Sequence, residues 1–296
     1  GSEMCIRDRY WSIYSSNDYP VPQLPMTRLL GVRLSQFLFD LSRPLAFALH
    51  CIPLNSVRRR YGLKGLGHDL RLVYTNADEV LLADIQEYFP ITADAKHHRY
   101  IGPVPWSPES KLPSWWGDVD RTRPVIYVTL GSSGCIELLP SVLEALAALP
   151  VTVIATTAGR AELASVPDNV MISEYVPGSQ AAAMASLVIC NGGSLTTYQA
   201  IQSGTPVLGI VSNLDQHLNM LYLSRAGVGI SLRSEDASAA RVCKTVENIL
   251  NDICYKTAAS NAQKVAQGYN PQKQFSSFVQ EILNDQVNME NAPGAI

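Results

Sequence analysis

The chain has 296 residues, 47% hydrophobic and 17% charged, with a formal net charge of −3. That length exceeds one ordinary domain, the composition is globular, and the acidic balance gives no basic field for nucleic acid. Its six cysteines are scattered with no C-x-x-C pair, which argues for reduced thiols in a cytoplasm and against a metal site.

Residues 1–9, GSEMCIRDR, resemble translated adapter read-through; they are expected to be a non-native leader, with the true N-terminus missing, and are left out of the expected fold. Residues 10–25 are rich in Ser, Asn, Tyr and Pro and read as loop. From 27 to about 47 the spacing of Leu29, Leu30, Leu34, Phe37, Leu38 and Leu41 predicts a helix that Pro44 ends or kinks. A second, shorter helix is expected over 54–61, where Arg58, Arg59 and Arg60 form either a solvated face or a contact for phosphate or an anionic membrane. The apolar stretch 37–54 carries Asp40, Arg43, His50 and two prolines, so no integral membrane segment is expected. Short elements follow at 68–74 and 79–83. The phrase RYIGPVPW, ending at Trp106, closes a first unit over 10–105. Residues 106–123 form a linker in which Trp115 and Trp116 pack beneath the chain or line a cleft.

A second unit is expected over 124–284, before a polar, frayed tail at 285–296. Strands are predicted at 125–130, 151–156, 170–173, 187–190, 207–211 and 228–232, and helices at 136–149, 195–203, 215–226, 237–250, 255–267 and 271–283. Alternating strands and helices give a parallel sheet with helices on both faces, and ligands of such sheets sit beyond the carboxyl ends of the strands. Three polar loops fall at that edge. Gly131, Ser132 and Ser133 follow the first strand. Asn191, Gly192, Gly193, Ser194, Thr196 and Thr197 follow the fourth and open a helix. Glycines let backbone approach a ligand, and a helix N-terminus favours an anion, so this turn suits a diphosphate; the plain alternative is an N-cap on a tight turn. Asp215 and Gln216 open the next helix and offer acceptors and a donor for sugar hydroxyls, unless Asp215 or Asn213 is only its cap.

The run from Tyr175 to Met220 resembles the donor-binding signature of the family-1, UDP-sugar-dependent glycosyltransferases, the UDP-glucosyl- and glucuronosyltransferase-like enzymes of GT-B fold. Tyr175 and Pro177, Gly193, Thr196, Gly204 and Pro206, and Asp215, Gln216 and Asn219 match it in order and spacing. Two positions depart: the family's phosphate-binding His is Asn191, and its ribose-binding Glu is Gln199. Asn keeps an N–H donor but adds no charge, and Gln lacks the charge-assisted bond of a carboxylate.

What the resemblance implies is an α/β fold of two Rossmann-like domains, the first partial and acceptor-binding, the second complete and donor-binding. Tyr175 would stack on the base, with the backbone at Val176 meeting its edge; a core tyrosine is the alternative. The 131–133 loop would meet phosphate. The implied reaction moves a sugar from a nucleoside diphosphate, UDP-hexose in the family, to a hydroxyl of a small acceptor with inversion. It uses no cofactor beyond the UDP-sugar co-substrate. The general base, a His early in the family's first domain, cannot be placed among His50, His68, His97, His98 and His217, and the chain is expected to bind donor but transfer poorly. Other readings are a sugar-nucleotide epimerase or hydrolase, a non-catalytic homologue that activates a partner transferase, and a structural module. Sugar, acceptor and oligomeric state are not set by the sequence.

Overall fold

The computed structural model describes residues 4–7, 19–91, 97–104 and 111–290. Among them the chain forms two parallel sheets with helices around them. The smaller sheet orders β1 (Met4–Arg7), β2 (Glu79–Leu82) and β3 (His98–Tyr100), with Met4 opposite Glu79 and Val80 opposite His98. Met4–Arg7 therefore lies inside the fold, contrary to the expectation that residues 1–9 stand outside it. A four-residue extended run needs only a free sheet edge, and β2 offers one.

Helix α1 (Pro25–Arg60) corrects a second expectation. The two helices predicted around Pro44 are one helix of 36 residues, with a non-helical break at Gly31 and both Pro44 and Pro53 inside it. By length and composition it is apolar enough to cross a membrane, so the prolines do not interrupt the segment as expected. Each proline removes one backbone donor from the helix without ending it. Phe39 and Phe47 pack on the core, and Phe47 meets Tyr19 edge-on at 6.1 Å, while Leu29, Leu34, Phe37, Leu41, Leu45 and Leu49 are exposed.

The larger sheet contains β4 (Val125–Thr129), β5 (Thr152–Thr156), β6 (Val170–Ser173), β7 (Leu187–Cys190), β8 (Val207–Val211) and β9 (Gly229–Arg233), in the order β6-β5-β4-β7-β8-β9. Its central strands are unbroken apolar runs because helices cover both faces. Side chains alternate between two layers. Tyr127, Val188, Cys190 and Val207 enter one; Ile126, Val128, Ile189 and Leu208 enter the other. Helices α2 (Leu139–Ala147), α3 (Gly178–Met184), α4 (Ser194–Gln202), α5 (Leu214–Arg225), α6 (Ala239–Asn251), α7 (Ile253–Gln267) and α8 (Pro271–Glu290) complete the chain. The short α3 is not foreseen by the sequence reading, and α8 carries the helix through 285–290, where a frayed tail is expected. Residues 291–296 lie outside the described residues, as do 10–18 of the expected N-terminal loop and 106–110 of the linker. Trp115 donates through Nε1 to the Ile172 carbonyl at 3.2 Å and packs on the core.

Helix α8 returns to the smaller sheet, where Phe278 is buried with Leu81, Ala83 and Ile101, and Arg99 pairs with Glu281 at 2.7 Å. A second tie crosses between the sheets. The Tyr198 hydroxyl on α4 donates to the fully buried Asp84 carboxylate at 2.7 Å and accepts from the Ile85 amide at 3.3 Å. A Tyr198→Phe substitution strips a donor from a buried carboxylate, so the unfolding free energy is expected to fall by about 2–3 kcal/mol. Denaturant melts of the two proteins measure it.

Candidate functional site

The sheet order, third strand outward to first and then fourth to sixth, puts the topological switch between β4 and β7. Consecutive crossovers leave that point in opposite directions and open a crevice at the carboxyl ends of the two strands. The loops after β4 and β7 border it. After β4 the chain makes a tight turn: the Gly134 amide donates to the Leu130 carbonyl at 3.1 Å, and Gly131 has φ +60°. A Cβ on Gly134 would lie 2.2 Å from the Leu130 oxygen, so only glycine fits.

The loop after β7 is built on Asn191, which is buried. Its Oδ1 accepts from the Gly193 amide at 3.0 Å and its Nδ2 donates to Ser133 Oγ at 3.1 Å, joining the two loops. Gly192 holds φ +80°. Its carbonyl accepts from Asn219 Nδ2 at 2.7 Å. Gly193, the N-cap of α4, has no side chain of its own to cap that end, and the positive end of the helix dipole lies at the crevice. Ser194 and Thr196 sit half-buried at this end. Thr197 does not join them: fully buried, its hydroxyl donates to the Gly193 and Ser194 carbonyls and accepts from Asn219 at 3.1 Å. One residue further along the helix is about 100° round its axis, which turns Thr197 inward.

The 212–216 loop stands beside them on β8. Asn213, not Asp215, caps α5, its side chain accepting from the Gln216 amide at 3.0 Å. Gln216 is buried, and its Oε1 accepts from the Ser212 amide at 2.9 Å and the Asn213 amide at 3.3 Å. Its Nε2 reaches Ser133 at 3.4 Å. Gln216 is thus spent on holding the loop against the 131–134 turn. Asp215, half-buried in the first turn of α5, is the carboxylate at this edge.

On the other side of β4, Tyr175 is 53% exposed, which excludes a core tyrosine. Its hydroxyl donates to the Ala158 carbonyl at 3.1 Å, and Val176 beneath it is buried. Gln199 is buried under the start of α3: a Cβ on Gly178 would come within 2.5 Å of its Oε1.

Three contributors go unnoticed in the sequence reading. Asn219 belongs to the matched signature, but its place under the Gly192 turn shows only in three dimensions. The 157–160 turn after β5 carries left-handed Ala158 (φ +52°) and Gly159 (φ +68°) and presents Arg160 to the 131–134 loop; the only sequence signal was its position at a strand's carboxyl end. Residues 19–23 are seated on the ends of β8 and β9. The Gln23 amide donates to the Ser212 carbonyl at 2.8 Å, and Arg233 donates to the carbonyls of Val21 and Pro22.

His217, 6% exposed, lies near Arg233, and its Nε2 is buried without a partner among the described residues. Burial, with help from the nearby Arg233 charge, pushes its pKa down to about 4. The folded state then resists a proton that the unfolded chain accepts near pH 6.5, and stability falls as pH drops from about 6.5 to 4. That loss is expected to reach about 3 kcal/mol at most. In His217→Gln, melts across this window should show that part of the pH dependence removed.

Residues 140–282 match the family described as erythromycin biosynthesis protein CIII-like, C-terminal domain. Over 257 residues the chain is 49% identical to a PGL/p-HBAD biosynthesis rhamnosyltransferase of Mycobacterium bovis (strain BCG / Pasteur 1173P2), covering 87% of this chain and 57% of that protein. Over 279 residues it is 47% identical to a PGL/p-HBAD biosynthesis glycosyltransferase of Mycobacterium tuberculosis (strain ATCC 25177 / H37Ra), covering 94% and 64%. The chain therefore spans about three fifths of the length of these curated relatives. Among solved structures, the spinosyn rhamnosyltransferase SpnG complexed with thymidine diphosphate superposes with a TM-score of 0.60 at 23% identity, over 76% of this chain and 60% of that one. The architecture is the GT-B fold expected from the sequence, with parallel Rossmann-like sheets.

Proposed function

We infer that this chain belongs with the nucleotide-sugar-dependent glycosyltransferases, and propose that it moves a sugar from a pyrimidine nucleoside diphosphate to a hydroxyl of a small acceptor, with inversion. The observation that carries this is the joining of the two switch-point loops, Asn191 Nδ2 to Ser133 Oγ at 3.1 Å. It brings a glycine turn and a helix N-terminus that starts from Gly193 to one crevice. The diphosphate is the leaving group, and its developing charge is met there by fixed backbone amides that need no reorganisation. Asp215 faces the sugar hydroxyls and Gln216 holds its loop. Tyr175 offers an exposed face to the base, and Gln199, on the helix that would meet the diphosphate, would serve the ribose.

The rhamnosyltransferase relative and the thymidine diphosphate of SpnG support a 6-deoxyhexose donor on dTDP or UDP. The small-molecule acceptor would enter past residues 19–23. Calorimetric titration with dTDP, UDP and ADP tests the reading. Pyrimidine diphosphates should bind at micromolar concentration and ADP at least about tenfold more weakly, since a stacking platform and base-edge contacts discriminate at this level. No binding of either pyrimidine diphosphate at millimolar concentration would refute it.

A further inference from the structure

Arg160 donates through Nη1 to two carbonyls at once, Gly131 at 3.0 Å and Gly134 at 3.1 Å. These are the first and last residues of the 131–134 loop, and each carbonyl belongs to the same peptide plane as the next residue's amide. In a trans peptide the C=O and N–H point in opposite directions. A guanidinium gripping the Gly131 and Gly134 oxygens from one side therefore turns the Ser132 and Cys135 amides to the other. The amides of Ser132, Ser133 and Cys135 make no hydrogen bond to any described residue. Successive open amides of this kind form an anion-binding concavity. The same loop is held by Asn191 and Gln216 through Ser133.

Resting on the donor reading above, we propose that Arg160 is a positioning residue that aims the loop amides at the donor diphosphate. It also supplies, through the polarised peptides, part of the positive field that Asn191 cannot. Arg160 acts from behind the loop without touching the phosphate. Its outer side faces a depression of about 490 Å³ lined also by Glu162 and Glu174, surroundings that repel an anion. A cation bonded to a carbonyl strengthens the N–H of the same peptide as a donor.

The test compares Arg160→Met and Arg160→Lys with the parent chain, titrating dTDP and UDP by calorimetry and the matching nucleosides by NMR, with a thermal melt of each protein. Arg160→Met should bind the diphosphates about tenfold more weakly while nucleoside affinity stays within about twofold and the melt is little changed, as expected for a lost charge-assisted bond. Arg160→Lys, which keeps the charge and a donor, should recover part of the loss. Diphosphate and nucleoside affinities falling by one factor would make Arg160 merely structural and overturn the proposal, as would unchanged diphosphate affinity. A parent chain that binds no diphosphate would overturn the donor reading itself.

Discussion

A Gly134→Ala chain is expected to bind pyrimidine nucleoside diphosphates about ten- to hundredfold more weakly than the parent while still unfolding cooperatively. The added Cβ would stand 2.2 Å from the Leu130 carbonyl and 2.8 Å from Asn191 Cβ. Neither atom is the far end of a flexible side chain. Backbone must move, and it moves the turn whose amides meet the phosphate together with the asparagine that joins it to the next loop. Overpacking of this kind costs about 1–3 kcal/mol, and about 1.4 kcal/mol is tenfold in affinity. The site is at the rim of the sheet, so much of the cost falls on the ligand. Calorimetry of the two proteins under one buffer reads the difference.

Gly192→Ala is expected to be the more damaging to the fold. At φ +80° a side chain is strained, and its Cβ would meet Met220 Cγ and Val211 Cγ1, each at 2.8 Å. Left-handed backbone costs about 1–2 kcal/mol for an L-residue and the overlap about 1–3 kcal/mol more. The unfolding free energy should therefore fall by about 2–5 kcal/mol in denaturant melts. Diphosphate binding should be lost as well, because the Asn219 bond that seats the turn uses the Gly192 carbonyl. Retained stability with unaltered binding would show that the turn is looser than this geometry requires.

Most of the larger sheet was legible because its strands are short apolar runs closed by glycine or asparagine and followed by helical spacing. The Asn191–Gly193 and Asn213–Gln216 punctuation carries that pattern, and the phosphate-type turn could be named from it. Strand order was not legible, since nothing local in residues 125–129 or 187–190 says that they are neighbours; pairing at a distance of about sixty residues is a tertiary outcome. Consequently the Asn191–Ser133 joint and the role of Arg160 were hidden. The buried contacts of Thr197 and Gln216 were hidden for a related reason. Nearby backbone engages their polar groups, and unsatisfied buried amides and carbonyls are costlier than an unused hydroxyl. In α1, Pro44 and Pro53 lie inside one continuous helix, which the local rule that proline ends a helix does not foretell. Short apolar segments such as Met4–Arg7 carry too little pattern to place without the strand they join.

The central claim is that the 131–134, 191–196 and 212–216 segments face one ligand, a nucleoside diphosphate sugar. Hydrogen–deuterium exchange of the chain with and without saturating dTDP-rhamnose or UDP-glucose tests it most directly. Slowed exchange in all three segments together is the predicted result. Protection confined to one of them, or appearing only elsewhere on the chain, would contradict it.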